Sequence, residues 1–155
     1  MSADVARRGA DRVGNRLLDG LPAPDKDRLL ARLTPVFLNI KTVLFEPGQL
    51  VDAVYFPLDG VVSLVTPLED GAIVEVATVG NEGLVGVPLV LGGSLAVRAI
   101  SQVAGRCLTM EAGVFLAELA KGGRWPDWCS ATCRPCSGRS HRPPPATGSI
   151  RTRSG

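Results

Sequence analysis

The residues with the richest chemistry lie near the end of this 155-residue chain. Cys129, Cys133, Cys136 and His141 have the spacing C-x3-C-x2-C-x4-H. Three thiolates and an imidazole are the ligand number and type that tetrahedral zinc prefers. Zinc fingers usually pair two such knuckles across a structured loop, and no hairpin or helix is predicted here. Metal binding is therefore one interpretation of this segment.

The same segment is strongly basic. Residues 121–155 carry one lysine and six arginines against Asp127, a net charge of +6, whereas residues 1–120 carry −4. Arginines that neutralise phosphates release counterions, so a nucleic-acid-binding arm is the second interpretation. The arginines are scattered among Pro, Ser and Gly, and Trp125 and Trp128 are the aromatic residues available for stacking.

The N-terminus and the apolar runs give no sign of a membrane or secreted protein. MSADVARRGADRVGN has no apolar signal-peptide core. The longest apolar run, Leu84 to Leu91, is far below the roughly 18 residues of a membrane span. We therefore expect a cytoplasmic chain with reduced cysteines, in which Cys107 is a buried structural thiol.

The elements that must position any site are mainly strands. Residues 15–34 predict a short helix, a proline break and a second helix with Asp25 as its N-cap, and residues 111–120 predict another helix with Val114, Phe115 and Leu119 on one side. Between Val36 and Met110, turn signals recur about every 8 to 12 residues, which favours an all-β sandwich or roll. The predicted strands are VFLNI, TVLFE, AVYFP, VVSLVTP, AIVEVATV, VRAISQV and RCLTM.

One hairpin is predicted with particular clarity. Asp70-Gly71 separates VVSLVTP from AIVEVATV, and Asp-Gly between two such runs is a strong hairpin signal. Strict alternation would place Glu75 on the same face as Ile73 and Ala77. We expect Glu75 at a sheet edge or solvent face, without a catalytic role.

The middle of the chain resembles the N-terminal sensory domain of Crp/Fnr-type bacterial transcription regulators, from about Asn15 to Leu119. The resemblance is carried by Glu46-Pro47-Gly48, by Tyr55-Phe56 and by Gly60 within VLFEPGQLVDAVYFPLDGVV. It implies a mainly β, double-stranded β-roll (a jelly-roll-like cyclic-nucleotide-binding domain) with short flanking helices, in a family whose full-length members form homodimers and bind DNA. The turn glycines Gly48, Gly60 and Gly71 are expected to adopt positive φ.

The resemblance also indicates a ligand segment. Family members that bind cyclic nucleotides supply backbone amides and an arginine to the phosphate and a glutamate to the ribose. Val87 stands where that glutamate is expected, and Arg98 lies a few residues from the phosphate position, so classical cyclic AMP binding is not expected. Arg98 is either an exposed strand residue or a ligand contact. The candidate ligand-binding residues are Gly83, Leu84, Val85, Gly86, Val87, Arg98 and Ala99.

A third interpretation of the basic segment follows from the family comparison, because relatives continue the last helix where this chain has Gly122-Gly123. A shifted frame joins the last base of each codon to the first two bases of the next. In that frame Trp125-Pro126 can encode only Ala, and Trp128-Cys129 can encode only Val. A compatible reading continues as an amphipathic helix that ends like the family's segment before its DNA-binding domain. We favour a one-nucleotide frameshift near Gly123 over metal or nucleic-acid binding.

The sequence therefore predicts three segments: a disordered N-terminus (1–14), a sensory β-roll (15–120) and a disordered basic tail (121–155). The expected function is effector sensing by a Crp/Fnr-type domain without its DNA-binding partner domain, so the chain should not bind DNA specifically. A stand-alone ligand-binding module is the alternative. An enzyme is not expected, since metal-dependent jelly-roll chemistry needs clustered histidines and none precedes His141. No cofactor is predicted beyond a nucleotide-like effector.

Overall fold

The computed structural model describes residues 12–86 and 96–121, which form seven strands and three helices. All seven predicted strands are present at nearly the predicted positions, and the helices flank them as expected. In chain order the elements are α1 (Arg16–Asp19), α2 (Ala23–Leu30), β1 (Thr34–Leu38), β2 (Val43–Phe45), β3 (Ala53–Pro57), β4 (Val61–Pro67), β5 (Ile73–Val79), β6 (Arg98–Val103), β7 (Gly105–Glu111) and α3 (Ala112–Ala120).

The strands form two antiparallel sheets, one with the order β1-β7-β3 and one with the order β2-β6-β4-β5. One core lies between the sheets and contains residues of both, including Leu38, Val62 and Cys107. A second core joins the other face of the three-stranded sheet to the helices, where the rings of Phe56 and Phe115 meet edge to face with centroids 6.1 Å apart. The prediction of a β-roll with short flanking helices is confirmed.

The second helix begins earlier than its predicted cap. Pro22 occupies the N-cap position, and Asp25 lies in the first turn, 3.0 Å from the Arg28 guanidinium. The prediction that Asp25 caps this helix is wrong. The first turn of a helix leaves its N–H groups unpaired, so Pro24 costs nothing there and the helix can start at Ala23.

The β4–β5 hairpin forms as predicted, and β5 is an edge strand whose Glu75 is exposed. Its alternation, however, is broken by a β-bulge: Val65 pairs with Glu75, whereas the adjacent Leu64 pairs with Ala77. Adjacent residues of a strand point to opposite faces, so Glu75 and Ala77 do as well. The prediction that they share a face is wrong.

Two of the three turn glycines adopt positive φ, 73° at Gly48 and 83° at Gly71. Gly60 does not, and the prediction fails there. Gly60 instead allows the backbone around Val103 and Gly105 to approach closely. A Cβ on Gly60 would lie 3.0 Å from the carbonyl oxygen of Val103 and 3.2 Å from the Cα of Gly105.

Cys107 is a buried structural thiol, as expected. Its side chain lies in the core between the sheets, and this burial raises the pKa of the thiol to about 12. Within residues 12–86 and 96–121, no helix is long and apolar enough to cross a membrane and no metal-ligand cluster forms. The four candidate zinc ligands lie outside the described residues.

Candidate functional site

The segment Gly83 to Gly86 follows β5 and enters the core. The Gly83 amide donates to the carbonyl oxygen of Gly80 at 3.2 Å, which closes a turn. Leu84 and Val85 are then buried, and Val85 pairs with Tyr55 of β3 through two backbone hydrogen bonds of 2.8 and 2.9 Å. The segment predicted to bind an effector is thus anchored to β3, an edge strand of the three-stranded sheet.

The backbone conformation at Gly86, the last residue described before the gap, requires glycine. Its φ is 126°, and a Cβ there would lie 2.8 Å from Cγ1 of Val54. Only glycine adopts this backbone conformation without strain. The backbone is therefore held against β3 directly before Val87, which lies outside the described residues.

Asn15 fixes this segment from the N-terminal side, a role that sequence reasoning missed. Its side-chain oxygen accepts hydrogen bonds from the amides of Leu17 and Leu18 and caps α1, while Nδ2 donates to the carbonyl oxygens of Pro57 and Gly83 at 2.9 and 3.0 Å. Asn before a helical apolar run is a recognisable N-cap signal, but the two distant acceptors leave no trace in the sequence.

Arg98 and Ala99 lie on opposite faces of β6. Ala99 is fully buried in the core between the sheets, whereas the Arg98 guanidinium contacts the carboxylate of Glu46 at 2.8 Å. Arg98 pairs across the sheet with Val65, which in turn pairs with the exposed Glu75. The arginine nearest the expected phosphate position is therefore engaged by a carboxylate on the outer face.

A depression of about 630 Å³ lies where β3 begins and β7 ends. Its lining includes Asp52, Tyr55, Thr109 and Glu111. Partial burial, and then the negative charge of Asp52, raise the pKa of the Tyr55 phenol. A phenol hydroxyl is protonated at neutral pH and can donate a hydrogen bond. These groups can hydrogen-bond an uncharged polar molecule, but their negative charge opposes an anion.

Charge is distributed unevenly along the chain around the site. Residues 60–97 contain no lysine, arginine or histidine, and they contain four acidic residues. This range spans β4, β5 and the whole candidate ligand segment before Arg98. A phosphate placed at the segment would have backbone dipoles but no cation from this part of the chain.

Sequence comparison assigns the fold to a family. The sequence profile of the cyclic nucleotide-binding domain matches residues 35–121, which is more than half of the chain. The chain belongs to the cyclic nucleotide-binding domain family. The predicted resemblance is confirmed, and the match covers every strand described above except for Thr34, the first residue of β1. No curated protein matches the sequence.

Solved structures of this family's fold extend the comparison. The N-terminal domain of a transcriptional regulator from Streptomyces coelicolor superposes with a TM-score of 0.60 at 22% identity, covering 79% of this chain and 87% of that one. Catabolite activator protein from Thermus thermophilus gives 0.59 at 20% identity, covering 75% and 53%. A regulatory subunit of a cAMP-independent protein kinase A from Trypanosoma cruzi, bound to guanosine, gives 0.61 at 16%, covering 77% and 44%.

These likenesses establish a fold shared with the N-terminal domain of a transcriptional regulator and with catabolite activator protein. The chain spans most of the single-domain structure but only about half of the two longer proteins. The chain has the roll of a cyclic nucleotide-binding domain, and its candidate ligand segment has no acidic or basic side chain between Glu82 and Arg98.

Proposed function

We propose that this chain is the effector-sensing domain of a Crp/Fnr-type transcription regulator, and that it recognises its effector without an arginine–phosphate ion pair. The carrying observation is the charge pattern of the ligand segment. Residues 60–97 provide no cation, and Arg98 is paired with Glu46. Charge-assisted hydrogen bonds are about twice as strong as neutral ones, so a cyclic phosphate loses its main anchor here.

The remaining recognition groups suit an uncharged ligand. Backbone amides of the glycine-rich segment can donate hydrogen bonds, and the nearby strand ends carry the Tyr55 hydroxyl and two carboxylates. The kinase regulatory subunit bound to guanosine supports this proposal, because a protein of the same fold is bound there to a nucleoside that carries no phosphate.

A thermal-shift panel tests the proposal with matched ligands. Adenosine and guanosine provide the uncharged members, and cyclic AMP and cyclic GMP provide the same bases with a charged phosphate. A ligand at a hundred times its Kd adds about 2.7 kcal/mol, which raises the Tm of a small domain by well over 5 °C. We expect each nucleoside to raise the Tm at least as much as its cyclic nucleotide.

A large shift with cyclic nucleotides alone would contradict the proposal. A panel in which no member shifts the Tm would exclude a nucleoside-like effector. The alternative of a stand-alone ligand-binding module has no observation of its own in the structure that favours it over the sensory domain.

A further inference from the structure

A second cavity, of about 510 Å³, lies between α1 and the turn that follows β5. The amide of Arg16 donates a hydrogen bond of 2.7 Å to the carbonyl oxygen of Asn81, which joins the two walls of this cavity. Among the described residues, the cavity shares none of its lining with the depression beside Tyr55, so the two are separate sites. Its lining residues are Arg12, Gly14, Arg16, Asp19, Gly20 and Asn81.

Two arginines line this cavity without a carboxylate partner. Neither the guanidinium of Arg12 nor that of Arg16 forms an ion pair with a carboxylate of residues 12–86 and 96–121. The described arginines that do form such pairs are Arg28, Arg98 and Arg106. A guanidinium always carries its charge and offers several N–H donors in a fixed plane, so both side chains are available to an anion.

The two carboxylates near these arginines already have other partners. The Asp19 carboxylate accepts hydrogen bonds from two backbone amides at 2.9 and 3.3 Å and from Nζ of Lys26 at 3.0 Å. Glu82 accepts one from the amide of Gly80 at 2.9 Å. Backbone hydrogen bonds, and then the charge of Arg16, lower the pKa of Glu82. Three cations, Lys26 and the two arginines, stand against these two carboxylates, so the cavity has a net charge of +1.

We propose that this cavity binds the phosphate group of a phosphomonoester, with the guanidinium groups of Arg12 and Arg16 as its cations. A guanidinium can donate two parallel hydrogen bonds to phosphate oxygens, and the side-chain amide of Asn81 is a further donor at the same site. The cavity volume falls within the range of about 300 to 1,000 Å³ that small-molecule sites have.

Charge favours a phosphomonoester over a cyclic phosphate here. A phosphomonoester carries a charge of about −1.5 to −2 at neutral pH, whereas a cyclic phosphate is a diester with a single negative charge. Two guanidinium groups therefore attract the monoester more strongly. The cations come from α1 and the chain before it, so this site does not depend on the proposed effector function.

An NMR titration of the 155-residue chain at low ionic strength tests the site. Inorganic phosphate and AMP are the two ligands, and the amide shifts of Gly14 and Gly20, which line the cavity, report binding there. Arg16→Gln should weaken both ligands by about tenfold, because one charge-assisted pair with the phosphate is lost. The Arg16 side chain is exposed, so the variant should fold. Arg32→Gln is the matched control: it removes the same charge from an exposed arginine outside the cavity lining, and affinity should change by less than about twofold.

The outcomes distinguish the source of the phosphate. Similar affinities for phosphate and AMP would indicate a site for free phosphate, and tighter binding of AMP would indicate a nucleotide, in both cases with the loss in Arg16→Gln. No saturation by about 20 mM of either ligand, or an equal loss in Arg32→Gln, would overturn the proposal. Adenosine, which has no phosphate, separates this site from the effector site: its binding should be unchanged in Arg16→Gln, and its failure to bind would contradict only the proposed function.

Discussion

Asn15 and Arg98 are polar residues whose partners lie far away in the sequence. Asn15 bonds Gly83 across 68 positions and Arg98 bonds Glu46 across 52. The predictions from the sequence do not include Asn15, although Asn before an apolar helical run can indicate a helix cap, and they leave Arg98 open between a ligand contact and an exposed strand residue. These roles follow from sheet register and helix docking, which a single sequence does not specify.

Substitution of Asn15 is expected to destabilise the domain. Asn15→Ala removes the helix cap and takes this donor from the buried carbonyl group of Pro57 and the partly buried one of Gly83, which should lower the free energy of unfolding by about 2 to 4 kcal/mol. Asn15→Ser keeps a capping oxygen and should lose less, about 1 to 2 kcal/mol. Urea denaturation measures both. Equal losses in the two variants would show that the capping oxygen contributes nothing, and no loss in Asn15→Ser would show the same of the amide donors.

Substitution of Arg98 is expected to leave effector binding intact. Its partner Glu46 is a half-exposed carboxylate on the outer face, and surface ion pairs contribute only about 0 to 1 kcal/mol. Arg98→Ala should therefore change the Kd of any bound effector by less than about twofold. Effector titrations of Arg98→Ala and Glu46→Ala check this. A large loss of affinity in Arg98→Ala alone would indicate that Arg98 contacts the ligand.

At the scale of elements, the sequence predicts the seven strands well because their apolar runs are bounded by glycine turns. Periodicity could not reveal the bulge in β5, since strict alternation assumes that no residue is inserted. The predictions of positive φ at Gly60 and of a helix cap at Asp25 are wrong for similar reasons. A close approach between Gly60 and Gly105 depends on two chain segments, and the start of α2 depends on Pro24 being tolerated in the first turn.

The prediction at the scale of elements concerns the segment Gly83 to Gly86, which is anchored to β3. Gly86→Ala forces a side chain to φ of 126° and against Val54, so it should lower the free energy of unfolding by about 1 to 3 kcal/mol. Gly48→Ala is the control, with φ of 73° and nothing within 4 Å of a new Cβ. We expect a smaller loss there, about 1 kcal/mol. Thermal denaturation of both variants measures the difference, and equal losses would argue against the Val54 contact.

For the molecule as a whole, stability should depend on ionised carboxylates. Hydrogen bonds from Lys121 and Arg28 lower the pKa of Glu118. Burial alone would raise the pKa of Asp19, but hydrogen bonds from two backbone amides and from Lys26 lower it below its ordinary value. A carboxylate whose pKa is lower in the folded state stabilises the fold above its unfolded pKa, and this stabilisation disappears as pH falls through the folded pKa. Chemical denaturation should show constant stability from pH 7 to about 5 and a progressive loss below about 4.

The predicted division of the chain into residues 1–14, 15–120 and 121–155 stays a prediction at this scale. So does the choice among metal binding, nucleic-acid binding and a frameshift for residues 121–155, which lie outside the described part except for Lys121. Resequencing the coding DNA around Gly122 to Trp125 decides the frameshift directly. An intact frame would contradict it and return the cysteines to consideration as ligands.

The central claim is that this cyclic nucleotide-binding domain reads its effector without an arginine–phosphate ion pair. Calorimetric titration of the whole chain with cyclic AMP, at low and at physiological salt, tests it most directly. With no cation in residues 60–97, we expect no saturable heat up to about 1 mM, a binding free energy weaker than about −4 kcal/mol. A micromolar Kd that weakens with salt would show that a cation holds the phosphate, and would contradict the account.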